Sequence, residues 1–311
     1  MEISYIILAH KNPQQLRRLV NKLATERSFF YIHIDKNAAV EPFLSALAEA
    51  KNVFFLNERE AGTWGDVGIV KATIHALTKI VLDKRRGYSV LMSGQDYPIK
   101  SNAAIHSFFK KNNGINFIES FALPNNKWDN DGRERIEWYK YNLTQNRSNY
   151  ILFPSVLSTE FYKELKGNCT NILRLIKRGI WPTAILRRRK FPDYLKPYGG
   201  AQWWAITTDS ANEVVQFLSQ HSDYVAYHKY SLLPDEFFFQ SILQRLALTG
   251  DVKIKATITY TNWDKPGVPH PVTFTKEDFD ELKNLPEQLL FARKFDVSVD
   301  ETILDLVDTI A

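Results

Sequence analysis

The segment Tyr230-Ser231-Leu232-Leu233-Pro234-Asp235-Glu236-Phe237-Phe238-Phe239 sets two adjacent carboxylates between an apolar run and three consecutive aromatics. Desolvating a carboxylate is costly unless it is paired or put to use. A carboxylate held in an apolar wall can also serve as a base toward a substrate hydroxyl. The same residues fit a plain helix start, with Pro234 in the first turn and the acids at the positive end of the macrodipole. Near the C-terminus, Phe291-Ala292-Arg293-Lys294-Phe295-Asp296 packs two cations between apolar residues. Arg293 and Lys294 could neutralise a departing diphosphate without a metal, or could snorkel from a surface turn. Asp35 closes the run Tyr31-Ile32-His33-Ile34, where an acid can accept hydrogen bonds from a nucleoside or simply begin a turn. Trp64, Trp203, Trp204 and Trp263 stand beside Gly or polar residues. Aromatic faces so placed suit sugar rings, although core packing is the default for any one Trp.

These residues need elements to position them. Ile3–Ala9, Phe29–Ile34, Val53–Leu56 and Tyr88–Met92 read as strands, alternating with helical patterns over residues 12–24 and 67–81. Regular alternation implies βαβ units and a largely parallel sheet, and in such sheets ligands bind beyond the carboxyl ends of the strands. His10, Asp35 and Asp96 all fall just past expected strand ends. After residue 199 the ordered pattern returns, with strands expected at 203–207 and 254–260 and helices at 210–219, 237–246, 278–284 and 302–310. Residues 122–198 differ: they are rich in Asn, Arg, Lys, Trp and Tyr and weakly periodic, and read as an insertion or lid rather than a second sheet. Within them, residues 172–191 interleave Arg174, Lys177, Arg178, Arg187, Arg188, Arg189 and Lys190 with Leu173, Leu175, Ile176, Ile180, Trp181, Ile185 and Leu186. Such a stretch suits an anionic membrane surface, or a solvated helix pair broken at Gly179 and Pro182.

Composition narrows the class. The 311 residues are 44% hydrophobic and 24% charged, ordinary for a globular chain. A net charge of +5 suits anionic ligands such as nucleotide diphosphates, and is too weak and scattered to argue for nucleic acid. One cysteine, Cys169, excludes an internal disulfide framework and favours a reducing compartment. The N-terminal apolar stretch is too short for a signal peptide and no segment is long enough to span a bilayer. We therefore expect a cytoplasmic protein, with peripheral attachment to the inner face of the membrane left open. Neither GxGxxG nor GxxxxGK[ST] occurs, so a dinucleotide site and a P-loop lack support. Asp129-Asn130-Asp131 is a DxD, a spacing that can hold a divalent cation, but it follows no apolar strand and reads as a turn.

Several stretches together resemble glycosyltransferase family 14, the core-2/I-branching β-1,6-N-acetylglucosaminyltransferases and peptide O-xylosyltransferases. They are Ile7-Leu8-Ala9-His10-Lys11, Tyr31-Ile32-His33-Ile34-Asp35-Lys36, Thr63-Trp64-Gly65 and Ser93-Gly94-Gln95-Asp96-Tyr97-Pro98-Ile99-Lys100. The C-terminal half adds Gly199-Gly200-Ala201-Gln202-Trp203, Leu232-Leu233-Pro234-Asp235-Glu236-Phe237-Phe238, Thr261-Asn262-Trp263 and Leu290 through Asp296. They occur in family order, and the C-terminal blocks look closer to the xylosyltransferase branch.

The resemblance implies one GT-A type α/β domain over 1–311: a nucleotide-binding half (1–121), a basic helical insertion or lid (122–198) and an acceptor and catalytic half (199–311). It implies a central, mostly parallel sheet flanked by helices, a UDP-sugar donor, a saccharide or lipid-linked glycan acceptor, inversion, and no metal or other cofactor. By this likeness Glu236 matches the base of the branching enzymes. Asp96 matches an acid near the reaction centre of the xylosyltransferases, so two candidate bases stand, with Glu236 favoured. Lys294 matches a donor-diphosphate ligand and Asp35 an acid at the nucleoside end; His10, Trp64, Gly65 and Arg293 belong with them on the donor side. Glu119, Gln202, Trp203, Asp235 and Trp263 fall on the acceptor side. The diphosphate-binding arginine of the branching enzymes has no counterpart, leaving His270, Arg293 or an arginine of the middle segment to complete the clamp. The animal enzymes carry a stem, an anchor and disulfides absent from this sequence, so a bacterial member is expected. The alternative is a non-catalytic carbohydrate-binding or membrane-docking protein on a transferase fold.

Overall fold

In the computed structural model, which describes residues 1–144, 149–250 and 252–311, the apolar runs form strands β1 (Ile3–Ala9), β2 (Ser28–Ile34), β3 (Val53–Phe55), β4 (Tyr88–Ser93), β5 (Asp96–Pro98), β6 (Ile115–Ile118), β7 (Phe121–Ala122), β8 (Tyr139–Asn142), β9 (Tyr150–Phe153), β10 (Tyr198–Gly199), β11 (Trp204–Thr207), β12 (Lys253–Lys255), β13 (Thr259–Thr261) and β14 (Phe291–Arg293). Seven of them make the central sheet, in the order β12-β6-β11-β4-β1-β2-β3. It is parallel except at β11, which runs antiparallel to both neighbours.

Side chains alternate across a strand, and here each face finds its own core. From β1, Ile3, Tyr5 and Ile7 join the helices Pro13–Leu23, Asn102–Lys111 and Thr302–Asp308 on one side. Ile6 turns to the other side, with Val70 and Leu77 of helix Gly68–Leu82 and Ile242 of helix Phe238–Thr249. Coverage on both faces explains why β1, β2 and β4 read as nearly unbroken apolar runs. The α/β architecture with a mostly parallel sheet is therefore as the sequence suggests.

Two expectations need correction. The run 254–260 is not one strand. β12 ends the central sheet, whereas β13 joins a separate sheet of order β13-β14-β5. Between them the Ile258 carbonyl takes hydrogen bonds from Leu290 and Phe291 N–H groups (2.9 and 3.2 Å), which draws the chain toward β14. The middle segment does contain a sheet: β8 and β9 pair antiparallel over Tyr139↔Phe153 to Asn142↔Tyr150. Their inward residues Tyr139, Tyr141, Ile151 and Phe153 close a small core with Phe161, Leu175 and Ile185. Alternation over only four residues per strand, either side of a polar turn, is a weak signal. The two ends of the segment are themselves paired, Ala122 to Tyr198 and Phe121 to Gly199, through β7 and β10.

Candidate active site

A cleft of about 930 Å³ opens over the carboxyl ends of β1, β2 and β4. His10 follows β1 and Asp35 follows β2, where the sheet's geometry places ligands. The Asp35 carboxylate is fixed by two backbone donors, Asn37 N–H and Gly62 N–H, each at 2.7 Å. A Cβ on Gly62 would stand 2.5 Å from Asp35 Oδ2, so only glycine allows that approach. Behind it His33 accepts a hydrogen bond at Nε2 from Glu60 N–H (2.8 Å), and burial pushes its ring down to about 4, so it is neutral at pH 7. Burial, and then the neighbouring Lys11, also lowers His10 below the usual histidine range.

The facing wall is built by β14. Its register sets Arg293 between Asp96 on β5 and Thr261 on β13, and so delivers Arg293 and Lys294 to the cleft. Arg293 lies over the Trp203 ring at 3.9 Å, with its Nε 3.5 Å from Asp96 Oδ1. Asp96 is buried beneath it and takes Ser93 N–H (2.9 Å) and Ser93 Oγ (2.8 Å) as donors. Burial raises the Asp96 carboxyl above its ordinary range, against the pull of Arg293 and Ser93.

The carboxylates of the 230–239 segment complete the site. Pro234–Glu236 is a single 3-10 turn, preceded by Leu233 in the left-handed region (φ 51°), an uncommon backbone state for a branched residue. The aromatics anchor it: Phe237 is buried against Leu123 and Ile136, while Phe238 and Phe239 enter the sheet core. Asp235 is buried at the cleft wall and its Oδ1 has no hydrogen-bond partner among the described residues. Burial, then the adjacent Glu236 charge, pushes the Asp235 carboxyl up to about 7. Glu236 keeps 29% of its side chain exposed and pairs through Oε2 with Arg135 Nη1. Arg135 lies on the Trp128 ring at 3.7 Å. The Glu236 carbonyl accepts Gly200 N–H (2.8 Å), tying the turn to the strand end after β10.

Eleven of the thirteen site residues expected from the sequence line this one cleft: His10, Asp35, Trp64, Gly65, Gln202, Trp203, Asp235, Glu236, Trp263, Arg293 and Lys294. Asp96 and Glu119 do not. Asp96 sits under Arg293, and Glu119 stands behind the lining, accepting N–H of the cleft residue Ala201 at 3.0 Å. Trp204 is no sugar platform: it is buried in the core against Phe239. Asp129 and Asp131 are exposed on a turn away from the cleft, and among the described residues no three His, Cys, Asp or Glu side chains converge into a metal-binding group. Arg135 was missed. It sits in a short helix of a weakly periodic stretch, and nothing in its local sequence marks it; tertiary contacts, the Trp128 ring under its guanidinium and Arg189 on its carbonyl, hold it beside Glu236. Lys140 and Asn142 of β8 were missed as well: both bond Asp66, and Lys140 also donates to the Trp64 carbonyl (3.1 Å), so the middle segment grips the loop behind Thr63-Trp64-Gly65.

A sequence model of the Core-2/I-Branching enzyme family matches residues 3–284. Xylosyltransferase 2 of Homo sapiens is 23% identical over 331 aligned residues, which cover 99% of this chain and 33% of that protein. Xylosyltransferase 1 of Homo sapiens is 21% identical, covering 99% and 30%. The chain thus spans about a third of the length of these relatives. Among solved structures, a 4-diphosphocytidyl-2C-methyl-D-erythritol synthase from Anaerococcus prevotii aligns with a TM-score of 0.37 at 12% identity, covering 91% of this chain and 94% of that one.

Proposed function

Because this chain belongs to the core-2/I-branching enzyme family, we propose that it is an inverting glycosyltransferase, moving N-acetylglucosamine or xylose from a UDP-sugar to a hydroxyl of a saccharide or glycoconjugate. The observation that carries the reading is the convergence in one cleft of Asp35, Glu236, Arg293 and Lys294, drawn from opposite ends of the chain. The cleft's volume suits a nucleotide sugar. Asp35, held rigid by two N–H groups, meets the nucleoside. Lys294 and Arg293 meet the diphosphate. The acceptor oxygen attacks the anomeric carbon from the opposite side, its proton passes to Glu236, and the bond to the diphosphate breaks with its electron pair leaving on UDP. A positioned base contributes ~10²–10⁴-fold. A preorganised contact to the departing charge contributes ~3 kcal/mol. Arg135, by pairing with Glu236, holds the carboxylate toward the cleft. The cations serve in place of a metal.

The test is turnover with a panel of UDP-sugars and a saccharide acceptor, with the product linkage read by NMR. An α-linked donor is expected to give a β-linked product, at the same rate in excess EDTA. An α-linked product overturns inversion, and activity lost in EDTA and restored by Mn²⁺ overturns the metal-free reading.

A further inference from the structure

The exposed apolar residues of the molecule are unevenly spread. Among the described residues eleven large hydrophobic side chains are exposed, and six of them, Leu157, Tyr162, Leu165, Leu173, Trp181 and Leu186, fall within thirty residues of the middle segment. Trp181 is 68% exposed and Leu186 62%. Apolar side chains clustered on one exposed segment mark an interaction surface, which singly scattered ones do not.

The strips carrying these residues close on one small core, through Phe161, Leu175 and Ile185. In helix Leu165–Ile176 the i, i+4 spacing sets Leu165, Cys169 and Leu173 on one outward stripe, while Leu175 and Asn168 turn inward. Lys166 and Arg174 flank that stripe, and Lys177 continues it. Ile180 N–H bonds the Leu175 carbonyl (3.0 Å), which places Trp181 at the helix's end. Val156 N–H bonds Ile185 O (3.0 Å) and Arg188 Nη2 bonds Leu157 O (2.9 Å), which brings Leu157 beside Leu186.

Charge follows the same boundary. Residues 157–190 hold nine Lys and Arg against two Glu, a net +7, whereas the whole chain carries +5, so everything outside this segment sums to −2. One of the nine, Arg189, is not available: it is buried and donates to the Arg135, Trp138 and Tyr227 carbonyls and to Ser231. Of the basic residues of 172–191 read from the sequence as facing a membrane or solvent, Arg189 therefore faces neither. Arg174, Lys177 and Arg187 make no ion pair and no side-chain hydrogen bond among the described residues.

We propose that this face docks on an anionic lipid bilayer, with Trp181, Leu186 and Leu173 entering the headgroup region and Arg174, Lys177 and Arg187 meeting lipid phosphates. The combination of an apolar stripe, an exposed indole and a basic surround is that of interfacial segments. A second copy is disfavoured as the occupant, since a two-fold contact would bring two such positive faces together. The inference rests on exposure and charge, independently of the cleft's chemistry.

The test is co-sedimentation of the whole chain with vesicles of phosphatidylcholine alone or of equimolar phosphatidylcholine and phosphatidylglycerol, at low and high salt. Binding is expected only with phosphatidylglycerol, and is expected to fall with salt. The triple variant Arg174→Gln, Lys177→Gln, Arg187→Gln should weaken it on the order of a hundredfold. Trp181→Ser with Leu186→Ser should weaken it about tenfold or more at unchanged thermal melting. No sedimentation with phosphatidylglycerol at low salt overturns the proposal. So does equal binding to both vesicles, equal binding by both variants, or a dimer in solution that Trp181→Ser dissociates.

Discussion

Asp235 and Glu236 are neighbours in the chain with opposite surroundings, and that contrast drives the site's pH behaviour. Asp235 is buried with an unpartnered oxygen, and its carboxyl is pushed up to about 7 by burial and then by the Glu236 charge. A carboxyl raised in the folded state favours folding below its unfolded value near 3.8, and that contribution is lost as pH rises through 7. His33 works the other way: burial lowers it from 6.5 to about 4, so its contribution is present above 6.5 and is lost as pH falls toward 4. We expect Asp235→Asn to gain stability over wild type at pH 8 by about 1–3 kcal/mol, with little difference at pH 4, measured by urea unfolding. An equal offset at both pH values would refute a buried, titrating Asp235. At this scale the sequence was informative wherever a side chain follows a strand or carries its own anchor, as Asp35 and the Phe237-Phe238-Phe239 run do. It was silent on Arg135 and Lys140, whose partners lie about 100 and 75 residues away along the chain, at Glu236 and Asp66.

At the scale of elements, the site depends on three short pieces: the 3-10 turn at 234–236, the β5–β14–β13 sheet and the β7–β10 pair. None is long enough to carry a periodic signal, so none was legible as an element, although the residues they carry were. The long elements were legible for the converse reason: β1, β2, β4 and helix Gly68–Leu82 are buried on defined faces, and burial writes itself into spacing. The β10 end shows how little room there is. A Cβ on Gly200 would lie 2.0 Å from the Glu119 carbonyl oxygen, a backbone atom that cannot swing aside. Gly200 N–H also holds the Glu236 carbonyl. Gly200→Ala is therefore expected to cost about 1–3 kcal/mol of stability by overpacking and to lower turnover; a wild-type melt with full activity would show that the turn is not held there. Phe237→Ala should cost about 3–5 kcal/mol, because it opens a cavity under the same turn.

For the molecule as a whole, charge and function are segregated. The positive excess sits in the middle segment, while the cleft alternates sign along its wall, from Arg293, backed by the buried Asp96, to Asp235 and Glu236 and then Arg135. The Asp35 carboxylate is already held in place by Asn37 N–H and Gly62 N–H. UDP at about 100 times its Kd should stabilise the fold by ~2.7 kcal/mol, raising the Tm by several degrees; the rise should shrink in Lys294→Ala. The central claim is that one cleft joins a carboxylate base to a cationic leaving-group clamp. Its most direct measurement is kcat of Glu236→Gln beside the UDP affinity of the same protein. The account predicts a fall in kcat of ~10²–10⁴ with UDP binding within about threefold of wild type. Turnover near wild type in Glu236→Gln, with the loss appearing instead in Asp96→Asn, would contradict it.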